Sequence, residues 1–333
     1  MVYLLFIAGF FLVIYGANFL VDGAATVAKK FNVSPMVIGL TVVAFGTSAP
    51  ELVVTILASV SDNNDIAFGN VVGSNILNIL LILGCAALIF PLTVHKNTVF
   101  KEIPLALLSA ILIFIMGSDA LMDGEQIGFL STLPKIEGAE YAGALGRIDG
   151  FVLLCFFLVF LFYAFAAAKE GTVEVEETEI KEMSTAIAAL YILLGLGGLS
   201  LGGRWIVGGA VEIAAMMGLS QKLIGLTVVS LGTSLPELVT TLVAAKKKQT
   251  DIAIGNVVGS NIFNTFLILG TGAFVSPVSI STFGQSDMLV NIGASLLLFA
   301  LLFVGKRHTI GRFEGVTFLL AYVSYTAYLV MRG

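Results

Sequence analysis

Apolar residues run along this chain in ten blocks, at about 2–28, 35–60, 66–90, 99–116, 148–168, 185–217, 223–245, 252–274, 288–304 and 311–331. Polar residues gather in the gaps between them. Each block is near the ~20 residues that a helix needs to cross a bilayer. The pattern predicts an all-α polytopic membrane protein with ten transmembrane helices. The first and sixth blocks are long and glycine-rich, which suits helices that tilt or bend. The second block is interrupted. Residues 39–51, GLTVVAFGTSAPE, put Gly46, Pro50 and Glu51 midway through it. A carboxylate at that depth costs roughly 2.5–3.5 kcal/mol on insertion scales, so it marks a functional site by default. Breaking the helix frees backbone groups, which is tolerated only where protein or a polar cavity satisfies them again.

The interruption occurs twice. Residues 225–237, GLTVVSLGTSLPE, repeat it. A second block, DIAFGNVVGSNILN at 65–78, returns as DIAIGNVVGSNIFN at 251–264. The offset is 186 in both cases, from Glu51 to Glu237 and from Asn78 to Asn264. Residues 34–84 align with 220–270 without a gap, and about three positions in five are identical. A repeat this long means a duplicated core rather than a solenoid.

Charge then sets the orientation. One set of alternate loops holds Lys29, Lys30, Lys96, Lys101, Lys169, Lys181, Lys246, Lys247, Lys248, Lys306, Arg307 and Arg312. The other holds only Lys135, Arg147, Lys222 and Arg332, while Arg204 falls within a span, either snorkelling outward or serving a gate. Cytoplasmic loops are enriched in Lys and Arg, so both termini are expected outside. Five spans per half is an odd number, so consecutive similar halves must enter the membrane in opposite senses. That is the inverted-topology plan of many secondary transporters, with sites near the midplane where broken helices meet. Residues 1–118 with 148–169 form the first repeat and 184–333 the second. Residues 119–147 form an acidic outer loop, a solvated surface or a cation-attracting lip. Residues 170–183 form a polar cytoplasmic linker without the pattern of an EF-hand loop.

Composition narrows the class. The chain has 333 residues, 58% hydrophobic and 12% charged, with mean hydropathy +1.02; soluble domains carry roughly 25% charged residues. The net charge of −5 argues against a nucleic-acid partner. Cys85 and Cys155 lie in apolar runs and suggest neither a disulfide framework nor zinc. The N-terminus lacks a basic n-region and reads as a first span rather than a signal peptide. A cell-membrane (inner or plasma membrane) location follows, with the lipid bilayer as partner.

The repeated blocks supply oxygen ligands: Glu51, Thr47, Ser48, Ser74 and Asn78 from one half, and Glu237, Thr233, Ser234, Ser260 and Asn264 from the other. Asn70, Asn75, Asn256 and Asn261 stand beside them, with helix-break capping an alternative role for Asn70 and Asn256. The breaks would add backbone carbonyls, those of Ala44 and Ser230. No His or Cys is among them, which suits hard cations such as Ca²⁺, Mg²⁺ or Na⁺. Two carboxylates are neutralised by one Ca²⁺ or by two Na⁺, and a third Na⁺ leaves an excess positive charge. A site that holds either a divalent ion or several monovalent ions is the physical basis of antiport. The competing explanation, that Gly, Ser and Asn only let helices approach closely, suits Gly9, Gly16, Gly195, Gly198, Gly202 and Gly208. It does not explain two equivalent mid-span Glu beside Pro.

The paired GTSxPE and GNVVGSNIxN blocks resemble the α-repeats of the cation/Ca²⁺ exchanger superfamily, and the chain looks like its compact prokaryotic sodium/calcium exchangers. The resemblance implies a 5+5 inverted-repeat fold, a central diamond of ion sites, and alternating access by sliding of the first and sixth helices. It places the family's glutamates on Glu51 and Glu237. The Thr-Ser ligands fall on Thr47, Ser48, Thr233 and Ser234, the serines on Ser74 and Ser260, and the amide on Asn78. Members often carry Asp where this chain has Asn264, so only two carboxylates remain. The expected function is Na⁺/Ca²⁺ antiport without a cofactor, one chain holding a complete site. A H⁺-coupled divalent-cation exchanger is the near alternative. An intramembrane enzyme lacks any catalytic signature here, and a channel would show no counter-ion requirement.

Overall fold

The computed structural model describes residues 2–61, 63–118, 141–169, 183–216 and 230–332. Ten helical elements follow one another, labelled α1 to α10. They are α1 (Val2–Phe31), α2 (Pro35–Thr47 and Ala49–Val60), α3 (Asn64–Ile89), α4 (Thr98–Met116), α5 (Arg147–Lys169), α6 (Thr185–Met216), α7 (Leu235–Lys246, after a turn at Ser230–Thr233), α8 (Thr250–Val275), α9 (Thr282–Leu301) and α10 (Arg312–Arg332). Among the described residues, eight are long and apolar enough to cross a membrane, and the bent α2 makes a ninth. The seventh expected span, 223–245, is described only from Ser230, so α7 is too short to count.

Burial explains the arrangement. On α8 every residue from Ile252 to Ile262 is buried, and α3 is buried over most of its middle. These two helices carry the GNVVGSN blocks and form the centre. On α1, α5 and α10, Leu4, Ile7, Phe11, Leu158, Phe162, Leu320 and Val323 stay exposed. In a bilayer such side chains face lipid tails, which are as apolar as Leu, so association between helices rests on close packing. Helices α1 and α6 show this. They run antiparallel, with Gly9 against Gly202, Gly16 against Gly195 and Gly198, and Gly23 against Ala188. A Cβ on Gly16 would lie 2.9 Å from the Gly195 carbonyl oxygen and 2.9 Å from the Leu199 nitrogen. Gly208 departs from the close-packing expectation, since nothing lies within 4 Å of the position its Cβ would take. Gly197 is equally open. Gly197→Ala should therefore keep the seam intact and gain helix propensity of up to about 1 kcal/mol; an unchanged or higher unfolding temperature in detergent would show this.

The expectation of an all-α chain needs amendment. Two antiparallel two-stranded ribbons join the halves. Strand β1 (Leu92–Thr93) pairs with β4 (Thr309–Ile310), and β2 (Tyr141–Leu145) pairs with β3 (Val278–Ser281). Backbone leaving a helix needs partners for its amides and carbonyls, and a neighbouring loop at the same level supplies them. The expected outer loop 119–147 is thus ordered at its end, where β2 runs into α5; residues 119–140 lie outside the described residues. The linker expected at 170–183 also lies outside them up to residue 182.

Contacts between loops sort them into two faces. On one face β1 meets β4, Lys247 bonds Asp22 at 2.6 Å and the Asn18 carbonyl at 3.2 Å, and His95 meets Asp251 at 3.2 Å. On the other face β2 meets β3, Tyr3 reaches Met216, Gln285 reaches Ser118, and Tyr325 reaches Asp287. Each contact joins loops or helix ends that the Lys/Arg alternation puts toward one side. Arg204 is exposed.

Candidate functional site

The site is built where α2 and α7 break. Helix α2 bends by 48° between Thr47 and Ala49. The hinge is Ser48 (φ −84°, ψ 6°), and its counterpart before α7 is Ser234 (φ −89°, ψ 8°). Pro50 and Pro236 follow two residues later, in the first turn of the second helix, where a missing N–H is tolerated. This corrects the expectation that Gly46 is a breaker. Gly46 is helical, and a Cβ there would strike the Leu196 side chain of α6 at 2.3 Å, so its role is close approach. Glu51 and Glu237 then fall in the first turn of a half-helix. Free amides and the helix dipole favour negative charge there.

Both carboxylates are buried, Glu51 to 0% and Glu237 to 1% exposure. Each is held by the opposite half. Ser48 Oγ donates to Glu237 Oε1 at 2.8 Å, and Ser234 Oγ donates to Glu51 Oε1 at 3.2 Å. Thr47 donates to Asn256 Oδ1 at 3.0 Å and Thr233 to Asn70 Oδ1 at 3.3 Å. In turn Asn70 donates to the Glu51 carbonyl and to Thr55, and Asn256 to the Glu237 carbonyl and to Thr241. Asn70 and Asn256 therefore brace the first turns of the half-helices that carry Glu51 and Glu237. The two carboxylates also repel one another.

Deeper in α3 and α8 the helices loosen into π turns at Asn78–Leu83 and Phe263–Leu269. Such turns are frequent at functional sites. Asn78 Nδ2 donates to Asn261 Oδ1 at 2.9 Å, and Asn264 Nδ2 donates to Asn75 Oδ1 at 3.1 Å. Ser74 Oγ and Ser234 Oγ lie 3.0 Å apart, so Ser74 can donate to Ser234 while Ser234 donates to Glu51.

After these bonds, four buried oxygens of these residues have no partner, Glu51 Oε2, Glu237 Oε2, Asn78 Oδ1 and Asn264 Oδ1, while the Ser260 hydroxyl faces the Glu237 carboxylate. Leaving a buried acceptor unsatisfied costs about 1–3 kcal/mol, and more when it is charged. These oxygens belong to residues that the sequence singles out, and they come from both halves. Two carboxylates with neutral oxygens are donors for a hard cation. The Ala44 carbonyl accepts from Ser48 N–H at 3.0 Å, which leaves it a second lone pair for an ion. Ser230 opens the turn before α7. Among the described residues no group of three or more His, Cys, Asp or Glu could hold a metal by itself, so the donor set depends on amides and hydroxyls.

The sequence reading left Asn75, Asn261, Thr55 and Thr241 unassigned. The signal for them was present: all four sit in register at the 186-residue offset.

Comparison with known proteins gives a consistent picture. The family model described as sodium/calcium exchanger protein matches residues 1–166 and 187–331. The sodium/calcium exchanger MaX1 of Methanosarcina acetivorans is 33% identical, over 98% of both chains. The inner membrane protein YrbG of Escherichia coli is 34% identical, over 98% of this chain and 95% of its own. A solved structure of the sodium-calcium exchanger NCX_Mj, soaked with Na⁺ and Ca²⁺, superposes with a TM-score of 0.80 at 34% identity, covering 98% of this chain and 97% of that one.

Proposed function

Given that the chain belongs to the sodium/calcium exchanger family, as a multi-pass membrane antiporter rather than an enzyme, we propose that it exports Ca²⁺ in exchange for Na⁺ through a site shared between two inverted five-helix repeats. Glu51 and Glu237 supply the charge. Thr47, Ser48, Ser74 and Asn78, with Thr233, Ser234, Ser260 and Asn264, supply hydroxyl and amide oxygens or orient those that do. The observation that carries this reading is the set of four unpartnered buried carboxylate and amide oxygens drawn from both halves. Two formal charges suit one Ca²⁺ or a cluster of Na⁺, and the two loads exclude one another. The basic face of the fold is cytoplasmic, by the Lys and Arg bias, so both termini lie outside. The glycine seam of α1 and α6 is where sliding would expose the site to either side.

The test is ⁴⁵Ca²⁺ uptake into proteoliposomes loaded with Na⁺, beside vesicles loaded with K⁺ or choline and vesicles carrying a pH gradient. Uptake is expected only with internal Na⁺. Uptake driven by the pH gradient alone would replace Na⁺ coupling with H⁺ coupling at the same two carboxylates. Flux that never saturates and needs no counter-ion would mean a channel.

A further inference from the structure

An amide side chain has two unlike ends. Only the oxygen serves a cation, and the NH₂ end repels it. Rotation by half a turn exchanges the two, so an Asn ligand is useful only if something fixes which end faces the ion. Asn78 and Asn264 are buried to 0% and 1% exposure, and each has one end bonded and the other free. In both, the bonded end is Nδ2 and the free end is Oδ1.

The bonds that fix them form two relays across the halves. In the first, Asn261 Nδ2 donates to the Asn75 backbone carbonyl at 3.2 Å, and Asn261 Oδ1 accepts from Asn78 Nδ2 at 2.9 Å. A backbone carbonyl can only accept, so Asn261 cannot turn over without setting two oxygens against each other. Asn78 is then held with its oxygen toward the site. In the second relay, Asn75 Nδ2 donates to Thr265 Oγ1 at 3.0 Å, and Asn75 Oδ1 accepts from Asn264 Nδ2 at 3.1 Å. A hydroxyl can donate or accept, so this anchor is softer. The residue equivalent to Thr265 in the first half is Ile79, and the two relays are anchored differently.

We infer that Asn75 and Asn261 are positioning residues that aim the amide oxygens of Asn264 and Asn78 at the transported cation, with Asn261 the firmer of the two. This rests on the cation-exchange reading above. Groups that orient metal ligands typically change metal affinity about 10–100-fold when removed. The Asn261 relay should sit inside that range and the Asn75 relay below it.

The experiment is direct Ca²⁺ binding to purified protein in Na⁺-free detergent solution, followed by equilibrium dialysis with ⁴⁵Ca²⁺. Asn261→Ala is expected to raise the Kd by about 10-fold or more. Thr265→Val, which keeps the shape and removes the hydroxyl, is expected to raise it by only a few-fold. Combined with Asn78→Ala, Asn261→Ala should add less than about 2-fold, because the ligand it orients is already gone. Full additivity of Asn261→Ala and Asn78→Ala would overturn the inference, as would a wild-type Kd in Asn261→Ala. Elution volume and Ca²⁺-free unfolding temperature separate misfolding from lost aim; if Asn261→Ala fails them, Thr265→Val decides the case, and an unchanged Kd there counts against the inference. A wild-type protein that binds no Ca²⁺ would instead sink the exchange reading itself.

Discussion

Glu51→Gln and Glu237→Gln should each abolish Na⁺-driven ⁴⁵Ca²⁺ uptake in proteoliposomes while leaving the protein folded. Gln keeps the side-chain length and one carbonyl oxygen, so Ser48 or Ser234 still finds an acceptor. What disappears is one of the two negative charges in a site shut off from water. Removing one partner of a buried charge pair typically costs about 3–5 kcal/mol, and each 1.4 kcal/mol is tenfold in affinity. Ca²⁺ binding should therefore fall by roughly two to three and a half orders of magnitude. The pseudo-symmetry adds a second requirement: both substitutions must be severe. Normal transport by either variant would refute the shared site, whichever ion drives it.

Gly16→Val is the other large effect, and it acts on the seam rather than the site. The atoms that a Cβ would meet at Gly16 are backbone atoms of α6 at 2.9 Å, and backbone cannot rotate aside. The helices must separate, which breaks contacts along Gly9, Gly16 and Gly23 together. Overpacking in a well-packed interior typically costs 1–3 kcal/mol, occasionally more, and this contact belongs to the upper end because no flexible side chain can absorb it. The expected outcome is a drop of several degrees in unfolding temperature together with loss of uptake. Gly197→Ala, on α6 between Gly195 and Gly198 but facing open space, is the control. Equal loss in both would mean that the seam tolerates no change for reasons other than contact.

Much of this was legible in the chain. Apolar blocks give spans because a bilayer demands some 20 residues of one character, and a constant 186-residue offset gives the duplication directly. Intramembrane Glu beside Pro marks the candidate site, since few structural roles justify the cost. What the chain hid has physical reasons. The hinge falls on Ser48 rather than Gly46, because its conformation is open to any residue and the Pro two positions later suffices. Strands as short as Leu92–Thr93 carry no alternation to detect. The failure of Gly208 to join the seam depends on which way it points, and a span rich in glycine does not declare that. Least visible were the partners. Nothing in the spacing of Thr47 says that it bonds Asn256, because that pairing exists only once the halves interlock.

That interlocking bears on ancestry. Ser48 serves Glu237 and Ser234 serves Glu51; Thr47 serves Asn256 and Thr233 serves Asn70; Asn78 leans on Asn261 and Asn264 on Asn75. In each of these pairs the partner comes from the other half. A half-length ancestor could have built this centre only by meeting a second copy of itself. Joining the two copies in one chain makes that pairing permanent and lets each half drift, as Thr265 and Ile79 have.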